Sequence, residues 1–181
     1  MGRLACLSSR SGGAAIPPAD LTDARLPGPF DRLKAAGDVE AAQAIEAQIW
    51  AIWLEAGDPK IDALMSEGNE AIDARKFGTA LAKFNAIIAQ RPDFAEGWNK
   101  RATVYYLMGD YAHSLQDIDR TLELEPRHIG ALSGLGLVNL RMEREEAAAD
   151  AFERVLNIDP HSVSARNNLA IVQDMLKRNK I

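Results

Sequence analysis

The sequence predicts an all-α protein: a right-handed α-solenoid of stacked antiparallel helix pairs, closed by a C-terminal capping helix. Three observations carry that prediction. Segments 61–94, 95–128 and 129–162 align without gaps at a period of 34 residues. Within each, apolar residues recur at helical spacing in two runs separated by a turn, such as Gly109-Asp110 in the second. Four columns also hold register through all three units: small residues at Gly68, Ala102 and Gly136, small again at Ala80, Ser114 and Ala148, large ones at Phe84, Ile118 and Phe152, and Pro92, Pro126 and Pro160 at the ends.

Each element follows from local chemistry. Residues 1–29 are rich in Ser, Gly, Pro and Asp and show no period, which reads as a flexible lead-in. Residues 30–60 form an atypical N-terminal helical unit. A short helix runs from Phe30 to Ala36, and a longer one, N-capped by Asp38, reaches Ala56 before Gly57. Trp50 lies one period before Phe84 and is assigned the same gap between helices, with Trp53 one turn on. A ligand platform is the other reading of this tryptophan pair, but core packing is preferred, because an N-terminal unit must shield the first face of the stack. In the three units that follow, the small columns belong where helix axes approach, and the large residue fills the gap beside them. Each proline stops a second helix and turns the chain. Residues 163–178 continue the register for one helix only. Leu169, Val172, Met175 and Leu176 cover the last unit, while Arg166, Asn167, Asn168, Asp174, Lys177 and Arg178 stay wet, as a solvating cap requires.

Composition narrows the class. The 181 residues are 47% hydrophobic with a net charge of −5, which supports a folded core and argues against nucleic-acid binding by bulk charge. No apolar run reaches the roughly 18 residues of a membrane-spanning helix. Arg3 and the following Leu4-Ala5-Cys6 hint at the tail of a signal sequence, but the apolar stretch is too short, so no export signal is read in the chain as given. Cys6 is the only thiol and has no intramolecular partner.

The 34-residue period, with Trp98, Ala102, Tyr105, Gly109, Tyr111, Ser114, Ile118 and Pro126 in one unit, resembles the tetratricopeptide repeat family over residues 61–162. Units one and three depart from it where Ala71, Asn139 and Glu145 stand for aromatic residues. The whole chain is also similar to small bacterial repeat proteins that carry an IW-x-x-W helix ahead of such units. Members of that group often have a secretion signal. The resemblance therefore implies a periplasmic protein if the start is truncated, and a cytoplasmic one otherwise.

No catalytic, cofactor-binding or metal-binding site emerges, and the chain is read as a non-enzyme. His113, His128 and His161 lack ligand spacing, and His128 and His161 fall in inter-unit turns, where solvated histidines are expected. Gly134-Leu-Gly136 is half of a dinucleotide fingerprint without its strand. Glu67 and Arg101 occupy the same position in consecutive units and suggest an ion pair that pins one unit to the next.

The groove remains. First helices line the concave side of such a solenoid, and counting round them directs Asn69, Asn99, Lys100, Thr103, Tyr106, Ser133, Arg141 and Asn167 into it, a set suited to an extended peptide. Chaperone-binding members of the family hold a partner's C-terminal carboxylate with Lys and Asn in one unit, Asn in the next, and Lys and Arg in the third. Those positions here read Met65, Asn69, Lys100, Gly130 and Gly134, so Hsp70 and Hsp90 tails are not the expected partners. A glycine inside a helix costs about 1 kcal/mol relative to alanine. Gly130 falls in a first turn, where the cost is small. Gly134 has no such reason and joins the candidate groove residues. The reading is a non-catalytic interaction module or adaptor that binds a protein or peptide segment in the groove. The alternative is a structural protein that self-assembles through the solenoid ends or the N-terminal unit, so that the expected state is a monomer or a weak homo-oligomer.

Overall fold

The computed structural model describes residues 23–178, and the statements that follow concern those residues. They form α1 (Pro27–Lys34), α2 (Val39–Leu54), α3 (Pro59–Asp73), α4 (Phe77–Gln90), α5 (Ala95–Met108), α6 (Tyr111–Leu124), α7 (Ile129–Arg141), α8 (Glu145–Ile158) and α9 (Val163–Arg178), with no strand among them. Helices α3–α4, α5–α6 and α7–α8 pair, each second helix packs on the next first helix, and α9 packs alone on α8. This is the expected all-α solenoid with its capping helix.

The columns show why the pairs close. A Cβ on Gly68 would lie 2.6 Å from the Phe84 ring, and one on Gly136 would lie 2.5 Å from the Phe152 ring. In the middle unit the large residue is the slimmer Ile118, and Ala102 is accommodated beside it in the same core. Phenylalanine faces glycine and isoleucine faces alanine, so volume is conserved across each contact. The turns repeat as well. Arg75, Gly109 and Glu143 have φ of 55°, 78° and 56°, one in each unit. Only the middle unit places there the residue that adopts this conformation without strain. In the cap, Val172 is fully buried and Leu169 and Leu176 pack beside it, while Ile171 remains exposed.

The N-terminal hairpin departs from the sequence expectation in place, not in kind. Asp38 N-caps α2 by accepting from the Ala41 amide at 2.8 Å, as expected. However, α1 begins at Pro27 and Leu26 is buried, so ordered structure starts inside the segment read as a lead-in. A proline suits the first turn of a helix as well as a linker. Residues 1–22, with Cys6, lie outside the described range. Helices α1 and α2 do not cover the first face of the stack. They run along its side, across the three turns that join the units and the cap. Arg91 donates to the Ala56 carbonyl at 3.1 Å, Arg127 lies 4.2 Å over the Phe30 ring, and His161 bonds the Ala36 carbonyl at 2.8 Å. Leu26, Leu33, Ile49 and Trp53 share one core with Ile129, Leu132, Val155 and Ala165. The helix spacing of apolar residues in α2 reads equally well in or out of repeat register, which is why the sequence did not reveal this docking.

Three further expectations change with it. Trp50 does not fill a gap equivalent to that of Phe84, because α2 is not part of a repeat unit; its ring reaches Gly130 instead. His128 is not solvated but fully buried, stacked on Trp53 at 4.1 Å between ring centroids, because the hairpin covers its turn. Glu67 pairs with Lys83, and Arg101 makes two 2.7 Å bonds to the nearly buried Asp117. That bidentate bond to Asp117 raises the Arg101 guanidinium above its ordinary value. The nearer carboxylate across the helix pair wins over the one in the neighbouring unit.

Candidate functional site

The groove divides into two halves along α5 and α7. Near the start of both helices it is filled by the chain itself. A Cβ on Gly130 would stand 2.7 Å from Trp50 Cη2, so α7 accepts that ring only because residue 130 has no side chain. Trp50 is held in turn by edge contacts with Trp53 at 5.2 Å and His128 at 5.7 Å, and its indole N–H donates to Glu46 at 3.2 Å.

Beneath the tryptophans lies a buried polar chain. The Ala131 amide donates to His128 Nδ1 at 3.2 Å, which leaves Nε2 to donate to Glu96 Oε2 at 3.0 Å. Asn99 Nδ2 donates to the same oxygen at 2.9 Å, and Lys100 Nζ stands 3.4 Å from Glu96 Oε1. Glu96 Oε2 and both His128 nitrogens are satisfied within the chain, as burial demands, whereas Glu96 Oε1 has no hydrogen-bond partner and only the Lys100 ammonium nearby as a counter-charge.

Beyond Gly130 the groove is open. Between α5 and α7 lies a cleft of about 270 Å³ whose walls include Thr103, Tyr106, Leu107, Ser133, Gly134 and Leu137, with Ile118 of α6 at its base. A Cβ on Gly134 would meet Ile118 Cδ1 at 3.5 Å, an ordinary contact, so this glycine leaves space unfilled. A second hollow shares Tyr106 and Leu107 with the first and extends to Met108, Tyr111 and Arg141. Arg141 Nε donates to the Tyr106 hydroxyl at 3.2 Å, a bond that raises the guanidinium above its ordinary value.

The residues anticipated from sequence are thus distributed unevenly. Asn99, Thr103, Tyr106, Ser133 and Gly134 line one cleft, and Tyr106 links it to Arg141. The Asn99 amide gives one N–H to Glu96, and the Thr103 hydroxyl donates to the Asn99 carbonyl at 3.0 Å, so the Thr103 hydroxyl is not a spare donor. Asn167 and Ser133 line a separate hollow of about 590 Å³ against α2. Lys100 is turned towards Glu96, and Asn69 is half-buried on α3, away from these clefts. The apolar half of the site was missed. Leu107 stands one turn after Thr103 and Leu137 one turn after Ser133, a signal the search for polar groups passed over. The α2 wall had no signal of this kind. No group of three or more His, Cys, Asp or Glu side chains suited to a metal occurs among the described residues, and none of their helices is long and apolar enough to cross a membrane.

Comparison with known proteins agrees with the architecture. A family model described as tetratricopeptide repeat matches residues 65–123 and 100–163. A TPR repeat-containing protein of Rhizobium etli is 35% identical over 156 residues, which cover 86% of this chain and 76% of that protein. The small glutamine-rich tetratricopeptide repeat-containing protein 2 of Mycosarcoma maydis is 24% identical over 65% of this chain, which spans only 33% of that relative. Among solved structures, the first TPR of Spaghetti (RPAP3) bound to HSP90 peptide SRMEEVD superposes with a TM-score of 0.63 at 23% identity, covering 65% of this chain and 94% of that one. The Sgt2 TPR domain from Aspergillus fumigatus gives 0.63 at 22% identity, covering 68% of this chain and 83% of that one.

Proposed function

The chain belongs to the tetratricopeptide repeat family, and from that premise we propose that it is a non-catalytic interaction module taking an extended protein segment on the open half of its groove. The observation that carries this reading is the cleft between α5 and α7, kept empty by Gly134 and rimmed by Tyr106 and Leu107. Cavities that bind are concave and largely apolar with a few placed polar groups, and this cleft has that character.

The partner is not a chaperone tail held by its terminal carboxylate. Met65 is packed in the core of the first unit, Gly130 lies under Trp50, and Gly134 is bare, so three positions that would supply charge offer none. Two measurements test the reading. Any binding of labelled SRMEEVD peptide to the full chain, read by anisotropy, is expected to persist when its C-terminus is amidated; saturable binding abolished by C-terminal amidation overturns the exclusion. In parallel, proteins captured from cells by the full chain are expected to be lost from Tyr106→Ala and kept by Glu146→Lys on α8. Capture that survives the groove change and fails with the α8 change moves the site to the opposite face.

A further inference from the structure

Arg141 differs from three other arginines at the edges of the groove. Arg91, Arg101 and Arg127 each engage a carboxylate, at Asp93, Asp117 and Glu125. Arg141 is exposed at the end of α7, and its one hydrogen-bond partner among the described residues is the neutral Tyr106 hydroxyl. That bond uses Nε and fixes the guanidinium plane, which leaves the Nη1–Nη2 edge, a fork shaped for a carboxylate. Beside this cation lies exposed apolar surface. Leu107 is 46% and Met108 51% exposed, and Leu107 also walls the α5–α7 cleft. An open apolar cleft and a cation with no carboxylate partner among the described residues therefore share one rim.

We propose that the open half of the groove recognises an extended segment in which a large apolar side chain stands two residues from an aspartate or glutamate. The inference rests on the groove reading above and names the chemistry of its occupant. The apolar side chain enters the cleft over Gly134, and the acidic side chain meets Arg141. The spacing follows from geometry. Gly134 and Arg141 are two turns apart on α7, about 10 Å at 1.5 Å per residue. Helical side chains lean towards the N-terminus, which brings the guanidinium back along the helix. Residues two apart in an extended chain point the same way and are separated by about 6.8 Å, and the acidic side chain spans the remainder. Chain direction is left open by this geometry, so apolar-x-acid and acid-x-apolar both satisfy it.

The test uses the full chain, immobilised, and a display library of random heptapeptides joined to the carrier at both ends, so that no free carboxyl terminus is present. Selected peptides are expected to share an apolar residue two positions from an acid. Arg141→Glu is expected to abolish the acid preference or replace it with Lys or Arg, and Leu107→Lys on the exposed rim to weaken binding at least tenfold. Circular dichroism confirms that both variants remain folded. Peptides selected without acid preference yet lost on Leu107→Lys overturn this inference and leave the groove reading standing. Peptides indifferent to both substitutions overturn both. Selection that succeeds only with a library ending in a free carboxylate, and is lost on Arg141→Glu, shows a main-chain carboxylate as the occupant and overturns the side-chain proposal.

Discussion

Gly130 and Gly134 stand one turn apart on α7, and at neither position does a side chain enter the groove. At Gly130 the space is taken by Trp50 Cη2, 2.7 Å from where a Cβ would be; at Gly134 the nearest atom is Ile118 Cδ1 at 3.5 Å and the rest opens into the cleft. One glycine lets the chain's own hairpin close in, and the other leaves room for something that is not part of the chain. The contrast teaches that an absent side chain describes its neighbour. That neighbour is distant in the sequence in the first case and, on the reading proposed above, belongs to another molecule in the second.

The strongest way to break this comparison is to remove the latch that fills the first half. Trp53 is 6% exposed, stacks on His128 at 4.1 Å and packs on Phe30 at 5.9 Å. Trp53→Ala is expected to cost about 3–5 kcal/mol, the usual range for removing a buried large aromatic. Urea unfolding measures the loss, and limited proteolysis should show new cleavage within residues 23–58. Trp53→Phe is expected to cost much less, because the buried indole N–H has no hydrogen-bond partner to lose. If Trp53→Ala leaves both stability and proteolysis unchanged, the hairpin is not docked and the first half of the groove is as open as the second.

A milder test addresses the contact itself. Gly130→Ala places a methyl group 2.7 Å from a ring held between Trp53 and His128, so the ring or the helix must shift. Overpacking of this kind costs about 1–3 kcal/mol. The helix-propensity gain is small because residue 130 lies in the first turn of α7. Thermal unfolding reads the net change. Trp50→Leu in the same chain should recover the lost stability in part, since a slimmer side chain leaves room for the methyl.

The repeat was legible because it is a local pattern written three times. Gly68 with Phe84 and Gly136 with Phe152 have matched volumes that survive comparison at a fixed spacing, and Ala102 with Ile118 shows the same exchange in the middle unit. The docking of α1 and α2 was not legible, because it joins segments far apart in the chain and is written once. Phe30 against Arg127 and Trp53 against His128 have no second copy to reveal them. The buried Glu96–His128–Asn99 chain was hidden for the same reason: its burial depends on a hairpin whose position was not known. The site was legible in part. Face counting pointed to Tyr106 and the cost of a helix-interior glycine to Gly134, both of which line the cleft, whereas Leu107 was passed over because apolar residues on a solenoid helix are ordinarily core.

The smallest expected effect carries the opposite sign, and for that reason it sharpens the comparison most. Gly134 lies inside α7, where alanine is favoured over glycine by about 1 kcal/mol. Its Cβ would make only an ordinary contact with Ile118, so nothing in the fold opposes the gain. Gly134→Ala is therefore expected to raise stability by about 0.5–1 kcal/mol, part of it through a less flexible unfolded chain. For a protein of this size that corresponds to roughly 1–4 °C in Tm. The two glycine-to-alanine changes, one turn apart on the same helix, should thus move the unfolding midpoint in opposite directions. A destabilisation at 134 equal to that at 130 means that the cleft is packed in solution. The second glycine would then be structural like the first, and the space assigned to a partner would not exist.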